Sequence, residues 1–206
     1  MRKITLGQCK INDAGKRYVN DALDNNRLSA GKYTQKFEED FAKLHQCRYG
    51  IFCNSGTSAL QISLAALKEL YGYKDGDEVL VPAATFIATS NVVLQNNLVP
   101  VFVDVDPLTF NIDPLQIEAK ITSRTRACIP VHLFGLPADM DSISAIAKTH
   151  SLNILEDSCE TCFAGIRGKS VGSFGDIACF STYVAHLIVG GVGGVVTTDN
   201  PELEKL

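Results

Sequence analysis

The sequence contains no tryptophan, no apolar run of membrane-spanning length and no cluster of basic residues. A transmembrane helix needs about 20 apolar residues, whereas the longest apolar runs, such as 99–103, are far shorter. Because 20% of the residues are charged, 46% are hydrophobic and the net charge is −4, a soluble globular protein is predicted. Neither a membrane nor nucleic acid is expected as a partner.

Signals for export and for metal binding are also missing. The residues after Met1-Arg2-Lys3 are too few and too polar to form the apolar part of a signal peptide, so a cytoplasmic location is predicted. One CxxC pair occurs, Cys159 and Cys162, but a zinc site needs four ligands and the sequence has no second CxxC and no HxxxH. The cysteines are therefore expected to be small buried residues, and no metal is predicted.

Two common nucleotide-binding motifs are absent as well. The chain has neither GxxxxGK followed by Ser or Thr nor GxGxxG, which argues against a P-loop and against a nicotinamide oxidoreductase. Segment 189–194 has four glycines in six residues, but in another order. It suits a tight loop beneath a ligand and a plain flexible hairpin equally well.

Apolar runs alternate with helical patterns along the chain, which is typical of an α/β fold. Helices are predicted at 35–45 (with Thr34 as its cap), 56–70, 85–95 and 139–149. Strands are predicted at 51–53, 78–81, 99–103 (as a buried strand), 127–131, 152–155, 177–182 and 195–198. Asn200 and Pro201 suit the start of a helix that stops at residue 206 after about a turn and a half, so a fragment of a longer chain is expected.

Three segments, 54–60, 156–160 and 181–194, are expected to converge on one site. Ligands of open α/β sheets bind beyond the carboxyl ends of strands and at helix N-termini, and these segments occupy such places. In the first segment a glycine allows close backbone approach and the hydroxyls of Thr57 and Ser58 add donors, as a phosphate cradle requires. An ordinary helix cap explains the same residues equally well.

Asp157 ends a strand that is otherwise apolar. A buried carboxylate needs a cationic or hydrogen-bond-donating partner, and a protonated pyridine nitrogen is one such partner. When the residue is viewed alone, a cap on the following turn is an equally good explanation.

Several motifs occur in a characteristic order and spacing. They are NSGTSAL at 54–60, VPAATF at 81–86, VFVDVD at 101–106, EDSCE at 156–160 and FSTY at 180–183, continuing to the glycines at 193 and 194. In this order they resemble the DegT/DnrJ/EryC1/StrS family, the sugar aminotransferases of the aspartate-aminotransferase fold, over nearly the whole chain. The resemblance implies an α/β large domain of fold type I, with a mixed, mostly parallel sheet flanked by helices. Residues 1–206 would form an N-terminal segment and most of this cofactor-binding domain, without the small C-terminal domain of the family.

The resemblance also implies a cofactor, pyridoxal 5'-phosphate or pyridoxamine 5'-phosphate, and a homodimer that acts on a nucleotide sugar. The residues that would hold the phosphate are Gly56, Thr57 and Ser181, with Ser58 as a further donor. Phe86 would stack on the pyridine ring, because its flat face suits a flat heteroaromatic partner. Asp157 would pair with the pyridine N–H, and Glu160 would lie near the ring hydroxyl.

One position departs from the aminotransferases of this family. Where they have the lysine that binds the cofactor covalently, this sequence has His186, and no lysine lies between Lys169 and Lys205. An imidazole cannot form that covalent bond. The 3-dehydratases of 4-keto-6-deoxy nucleotide sugars, one branch of the family, are similar in having histidine there and an acidic residue at the position of Glu160. Dehydration at C3 of such a sugar is therefore predicted, with His186 as the base in place of the Schiff-base lysine.

Other functions stay open at this point. Leu187 stands where the dehydratases have a second histidine, and Val192 stands where an acidic residue commonly precedes the final Gly-Gly. A sugar aminotransferase is one alternative, and a catalytically inactive homologue is another. For the dehydratase, glutamate or a reductase partner would regenerate the pyridoxamine form of the cofactor.

Overall fold

A computed structural model describes residues 11–206 of the chain. The helices are α1 (Asp13–Asp24), α2 (Lys32–Leu44), α3 (Gly56–Tyr71), α4 (Ile87–Gln95), α5 (Pro114–Ile117), α6 (Met140–His150) and α7 (Pro201–Lys205), with short 3₁₀ turns at Glu118–Lys120 and Leu133–Gly135. The strands are β1 (Tyr49–Cys53), β2 (Glu78–Pro82), β3 (Val99–Val103), β4 (Thr125–Cys128), β5 (Asn153–Asp157), β6 (Gly165–Ile166), β7 (Lys169–Ser170), β8 (Ile177–Ser181) and β9 (Gly194–Thr198).

The main sheet has seven strands in the order β1-β9-β8-β5-β4-β2-β3. Strands β8, β5, β4, β2 and β3 pair in parallel, and β9 runs antiparallel to both of its neighbours, β1 and β8. Strands β6 and β7 form a separate antiparallel pair. The predicted α/β fold with a mixed, mostly parallel sheet is confirmed.

The sequence determines where helix α3, the first element of the site, begins and ends. Ser55 caps it, since its Oγ accepts a hydrogen bond from the backbone N–H of Ser58. The helix ends at Gly72, whose φ of +69° lies in the left-handed region that glycine adopts without a steric penalty. Between these ends, the predicted apolar face of α3 is fully buried. The resulting core fixes the N-terminus of α3 against the sheet.

Side chains alternate between the two faces of the sheet, as the two-residue period of a strand requires. On β5, Leu155 packs in the core formed with α3 and α4, whereas Ile154 packs in the core formed with α6. The next residues continue this alternation, so Glu156 is on the side of Ile154 and Asp157 is on the side of Leu155. Two adjacent acids of one strand therefore enter two different environments.

Several details differ from the sequence-based predictions. Strand β4 covers Thr125–Cys128 rather than 127–131, and helix α4 begins at Ile87 rather than at residue 85. Strand β3 was predicted to be buried, but it is the last strand in the sheet order. Only Val103 is buried, whereas Phe102 is 50% exposed. Helix α2 begins three residues earlier than predicted, with Gly31 at its N-cap, so Thr34 lies inside the helix. Helix α1 was not predicted, and none of its residues is buried.

In residues 11–206, no helix is long and apolar enough to cross a membrane. The interpretation of residues 1–3 as lacking a signal peptide lies outside the described residues. The division of the chain into an N-terminal segment and most of a large domain, within a longer protein, stays a prediction.

Candidate active site

A cavity of about 440 Å³ opens at the carboxyl ends of the parallel strands. The three segments predicted to converge all contribute to its wall. Seven of the predicted site residues line it, namely Gly56, Thr57, Phe86, Asp157, Glu160, Ser181 and His186. Ser58 is not among the lining residues, because it faces Ser55: its backbone N–H donates to Ser55 Oγ, and the two hydroxyl oxygens are 3.0 Å apart. The structure therefore separates Ser58 from the other predicted phosphate donors.

The turn from β1 into α3 leaves space for an anion. A Cβ at Gly56 would lie 2.8 Å from both Cys159 Sγ and Ser181 Cβ, so only glycine fits here without displacement of its neighbours. The backbone N–H groups of Ser58 and Ala59 bond to Ser55. The two preceding N–H groups lie at the start of α3 and remain for a ligand, where the helix dipole favours negative charge. Of the two interpretations left open for this segment, the structure shows the helix cap at Ser55, and the phosphate cradle stays a prediction.

Asp157 is the buried acid of the cavity, with 4% of its surface exposed. Its Oδ2 accepts a hydrogen bond from Thr89 Oγ1 at 2.8 Å, and its Oδ1 accepts one from the backbone N–H of Cys159 at 3.2 Å. No basic side chain among residues 11–206 forms an ion pair with it. A buried carboxylate in a cavity without a cation fits a ligand that brings a positive charge, such as a protonated pyridine ring.

Phe86 and Glu160 both line the cavity. Phe86 is the N-cap residue of α4 and is 66% exposed, which leaves its ring face available to a flat partner. The Glu160 carboxylate accepts a hydrogen bond from the backbone N–H of Phe134 at 3.2 Å. Phe134 has a φ of +53° and sits in a 3₁₀ turn. Glu160 therefore also holds this turn.

His186 belongs to the loop between β8 and β9. Its backbone N–H donates to the carbonyl of Tyr183 at 2.9 Å, and the two rings lie with centroids 6.1 Å apart. The Gly-rich end of the loop folds back onto the sheet, where the carbonyl of Gly193 accepts from the N–H of Thr182 at 2.9 Å. The loop is thus a hairpin connection that also lines the cavity. Among the described lining residues there is no lysine.

The cysteines near the site are thiols without a redox or metal arrangement. Burial raises the pKa of the Cys159 thiol well above its ordinary value, and burial raises that of Cys162 to about 11. The two side chains pack against different apolar clusters, so the CxxC spacing does not bring them together as a pair. In the described residues, no group of three or more His, Cys, Asp or Glu side chains is arranged to bind a metal ion.

Sequence reasoning did not find Thr89, the hydroxyl donor to Asp157. Thr85 and Thr89 are four residues apart, a spacing that places two side chains on one face of a helix. This pair, beside the aromatic Phe86, was the available signal in the sequence. Its partner Asp157 is 68 positions away from Thr89, a contact that one sequence does not reveal.

A family model, the DegT/DnrJ/EryC1/StrS aminotransferase family, matches residues 10–206. The chain belongs to this family. GDP-perosamine synthase of Caulobacter vibrioides is 40% identical over 202 residues, which are 98% of this chain and 53% of that protein. The chain spans about half the length of the curated relatives it matches.

Solved structures of the family superpose closely on this fold. The Escherichia coli GDP-4-keto-6-deoxy-D-mannose-3-dehydratase with bound hydrated pyridoxal phosphate has a TM-score of 0.93 and 32% identity, covering 99% of this chain and 53% of that one. NtdA of Bacillus subtilis with bound pyridoxamine phosphate has a TM-score of 0.84 and 37% identity, covering 92% and 42%. The family match and these related structures therefore confirm the predicted family, the fold type and the pyridoxal or pyridoxamine phosphate cofactor.

Proposed function

We propose that the protein is a pyridoxal or pyridoxamine phosphate enzyme that removes the C3 hydroxyl of a nucleotide-linked 4-keto-6-deoxy sugar. The observation that carries the proposal is the position of His186, which lines the same cavity as Asp157, while no described lining residue is a lysine. The likeness to the Escherichia coli 3-dehydratase supports it.

The residues of the cavity suit the cofactor group by group. The first N–H groups of α3, at Gly56 and Thr57, and the hydroxyl of Ser181 would bind the phosphate. Phe86 would cover one face of the ring, and Asp157 would hold the proton on the ring nitrogen. Bound pyridoxamine phosphate supplies an amine for the C4 ketone and a ring that accepts electrons.

His186 is the proposed base. An imidazole can accept and release a proton, so His186 would act as a base beside the bound cofactor without a covalent bond to it. Glu160 lies on the wall of the same cavity and would face the ring hydroxyl. Asp157 would pair with the protonated ring nitrogen, and this charge would make the bound ring a better electron acceptor. We further propose a homodimer in the cytoplasm, with glutamate or a reductase partner restoring the amine form.

The first test asks whether the cofactor is bound covalently in the protein expressed from its complete gene. The protein is loaded with pyridoxal phosphate, treated with borohydride and weighed intact. We expect cofactor absorbance before reduction and no covalent adduct, whereas the His186→Lys variant should gain one. An adduct on the unsubstituted protein would overturn the non-covalent role of His186 and would favour a sugar aminotransferase, as the family name suggests.

The second test identifies the reaction. GDP-linked and dTDP-linked 4-keto-6-deoxy sugars are supplied with the cofactor and glutamate, and the products are followed by NMR. Loss of the C3 hydroxyl supports the dehydratase, and this loss should disappear in His186→Asn. An amino group at C4 would identify an aminotransferase. Bound cofactor with neither product would identify a catalytically inactive homologue, the third possibility.

A further inference from the structure

Two threonines form a hydrogen-bonded chain that ends on Asp157. Thr89, fully buried, places its Oγ1 2.8 Å from Asp157 Oδ2, and Thr85 Oγ1 lies 2.9 Å from the same Thr89 oxygen. Thr85 is partly exposed and lines the cavity. The chain therefore runs from the cavity wall, through the first turn of α4, to the carboxylate.

The direction of this chain follows from proton counting. A hydroxyl has one proton to donate, and an ionised carboxylate only accepts. Thr89 must therefore donate to Asp157, and its oxygen is then free to accept the proton of Thr85. Each hydroxyl in such a chain polarises the next, which strengthens the final bond to the charged group.

The hydrogen bonds also fix the orientation of the carboxylate. One oxygen of Asp157 is held by Thr89 and the other by the backbone N–H of Cys159. A carboxylate has about four acceptor positions, so two of them remain after these bonds are made. Because each oxygen is held by a hydrogen bond, the plane of the Asp157 carboxylate is fixed. Its two remaining acceptor positions therefore keep one orientation beside the cavity.

We propose that Thr89 is a positioning residue that holds the Asp157 carboxylate in the correct orientation for the protonated ring nitrogen of the cofactor, with Thr85 supporting it. This role rests on the proposed function, because it requires the pyridine ring to bind at Asp157. Thr89 acts only through Asp157, so its contribution should depend on the ring nitrogen and on nothing else in the cofactor.

The test measures equilibrium binding of two ligands to the cofactor-free, full-length protein. The ligands are pyridoxal phosphate and its analogue in which a carbon replaces the ring nitrogen. We expect Thr89→Val, which removes the hydroxyl at nearly constant volume, to weaken binding of pyridoxal phosphate at least tenfold. Binding of the analogue should change less than twofold. Thr89→Ser, which keeps the hydroxyl, should restore most of the loss, and Thr85→Val should weaken pyridoxal phosphate binding only a few-fold.

Controls separate this role from a structural one. Thr149 is an exposed helical residue whose hydroxyl bonds to the carbonyl of Ala145, and Thr149→Val should change neither affinity. If Thr89→Val does not fold, the pair Thr89→Ala and Thr89→Ser gives the same comparison of hydroxyl present and absent. Melting of the cofactor-free variants reports any loss of fold directly.

Two outcomes would overturn the role of Thr89 alone. One is equal weakening of both ligands, which would mean that the threonine only supports the shape of the cavity. The other is unchanged binding of pyridoxal phosphate in Thr89→Val. A parent protein that binds neither ligand would instead overturn the proposed function, and the role of Thr89 with it.

Discussion

Glu156 and Asp157 are neighbours on β5, both buried, yet they differ in how their charges are stabilised. The Glu156 carboxylate accepts hydrogen bonds from three backbone N–H groups in the segment 172–175, at 2.6 to 2.8 Å, and one from His132 Nε2 at 3.0 Å. All four acceptor positions of the carboxylate are therefore used. Asp157 accepts two hydrogen bonds from the protein and faces the cavity.

The comparison shows that burial alone does not distinguish a structural acid from one that binds a ligand. Glu156 is completely satisfied within the protein, and it joins the loop before β8 to the loop after β4. His132 belongs to this structural set: its Nδ1 accepts from the N–H of Ala138, so its Nε2 carries the proton that is donated to Glu156. Asp157 is left with spare acceptor capacity and no cation, so a ligand has a place beside it.

The largest effect is expected from Glu156→Gln. The glutamine has the same shape, but its NH₂ group would face donors, leaving buried N–H groups without an acceptor. We expect a loss of about 3 kcal/mol in the free energy of unfolding, measured by urea denaturation of the cofactor-free protein. The matched control is Glu118→Gln, because Glu118 pairs with His150 at 3.2 Å on the surface. That change should cost less than about 0.5 kcal/mol, and equal losses at the two sites would contradict the structural role of Glu156.

The second largest effect is expected from Asp157→Asn, and it concerns the affinity for pyridoxal phosphate rather than stability. The amide cannot balance a positive charge, so the affinity for pyridoxal phosphate should fall about a hundredfold. The unfolding free energy of the cofactor-free protein should change by about 1 kcal/mol, because Asn can still accept from Thr89 and loses only the longer bond from the Cys159 N–H. Titration of cofactor absorbance measures the first quantity and urea denaturation the second. A stability loss with unchanged affinity would reverse the comparison between the two acids.

The sequence predicts one member of this pair of acids and not the role of the other. An acidic pair follows the predicted strand 152–155, and the resemblance carried by the order of motifs singles out Asp157 and the segments that meet beside it. The role of Glu156 is not evident, because its partners come from two loops whose shape depends on the finished sheet. The exposure of β3 was not predicted either, because a five-residue apolar strand has the same sequence pattern at the edge and in the centre of a sheet.

The third prediction concerns the cavity face and uses Gly56→Ala. The new Cβ would lie 2.8 Å from Cys159 Sγ and from Ser181 Cβ, so α3 or β8 has to shift. We expect a cost of about 1–2 kcal/mol in stability and a weaker affinity for inorganic phosphate and pyridoxal phosphate alike. The control is Gly15→Ala in the first turn of α1, where the nearest atom lies 3.3 Å from the added carbon. A variant Gly56→Ala that binds phosphate as tightly as the parent would contradict the cradle.

The smallest effect is expected on the opposite face of the sheet, from the protonation of His45. This imidazole stacks on Phe41 and Phe163 and lies tilted against Phe180. Its Nδ1 donates to the carbonyl of Val171 at 3.1 Å, and its Nε2 has no hydrogen-bond partner in the described residues. Burial lowers the pKa of His45 below its ordinary value, although the Val171 carbonyl and the charge of Glu156 oppose the shift.

The sign of the pH effect follows from this lowered pKa. Above the unfolded-state pKa of about 6.5 both states hold His45 neutral, so it adds no pH dependence there. As the pH falls below that value, the unfolded state binds the proton first, and stability is lost until the pH passes the lower, folded-state pKa. The slope from this one group cannot exceed about 1.4 kcal/mol per pH unit. We expect His45→Phe, which keeps the aromatic stacking, to unfold in urea with a smaller loss of stability between pH 6.5 and 5 than the parent protein. Equal slopes would mean that His45 is protonated without cost on this face.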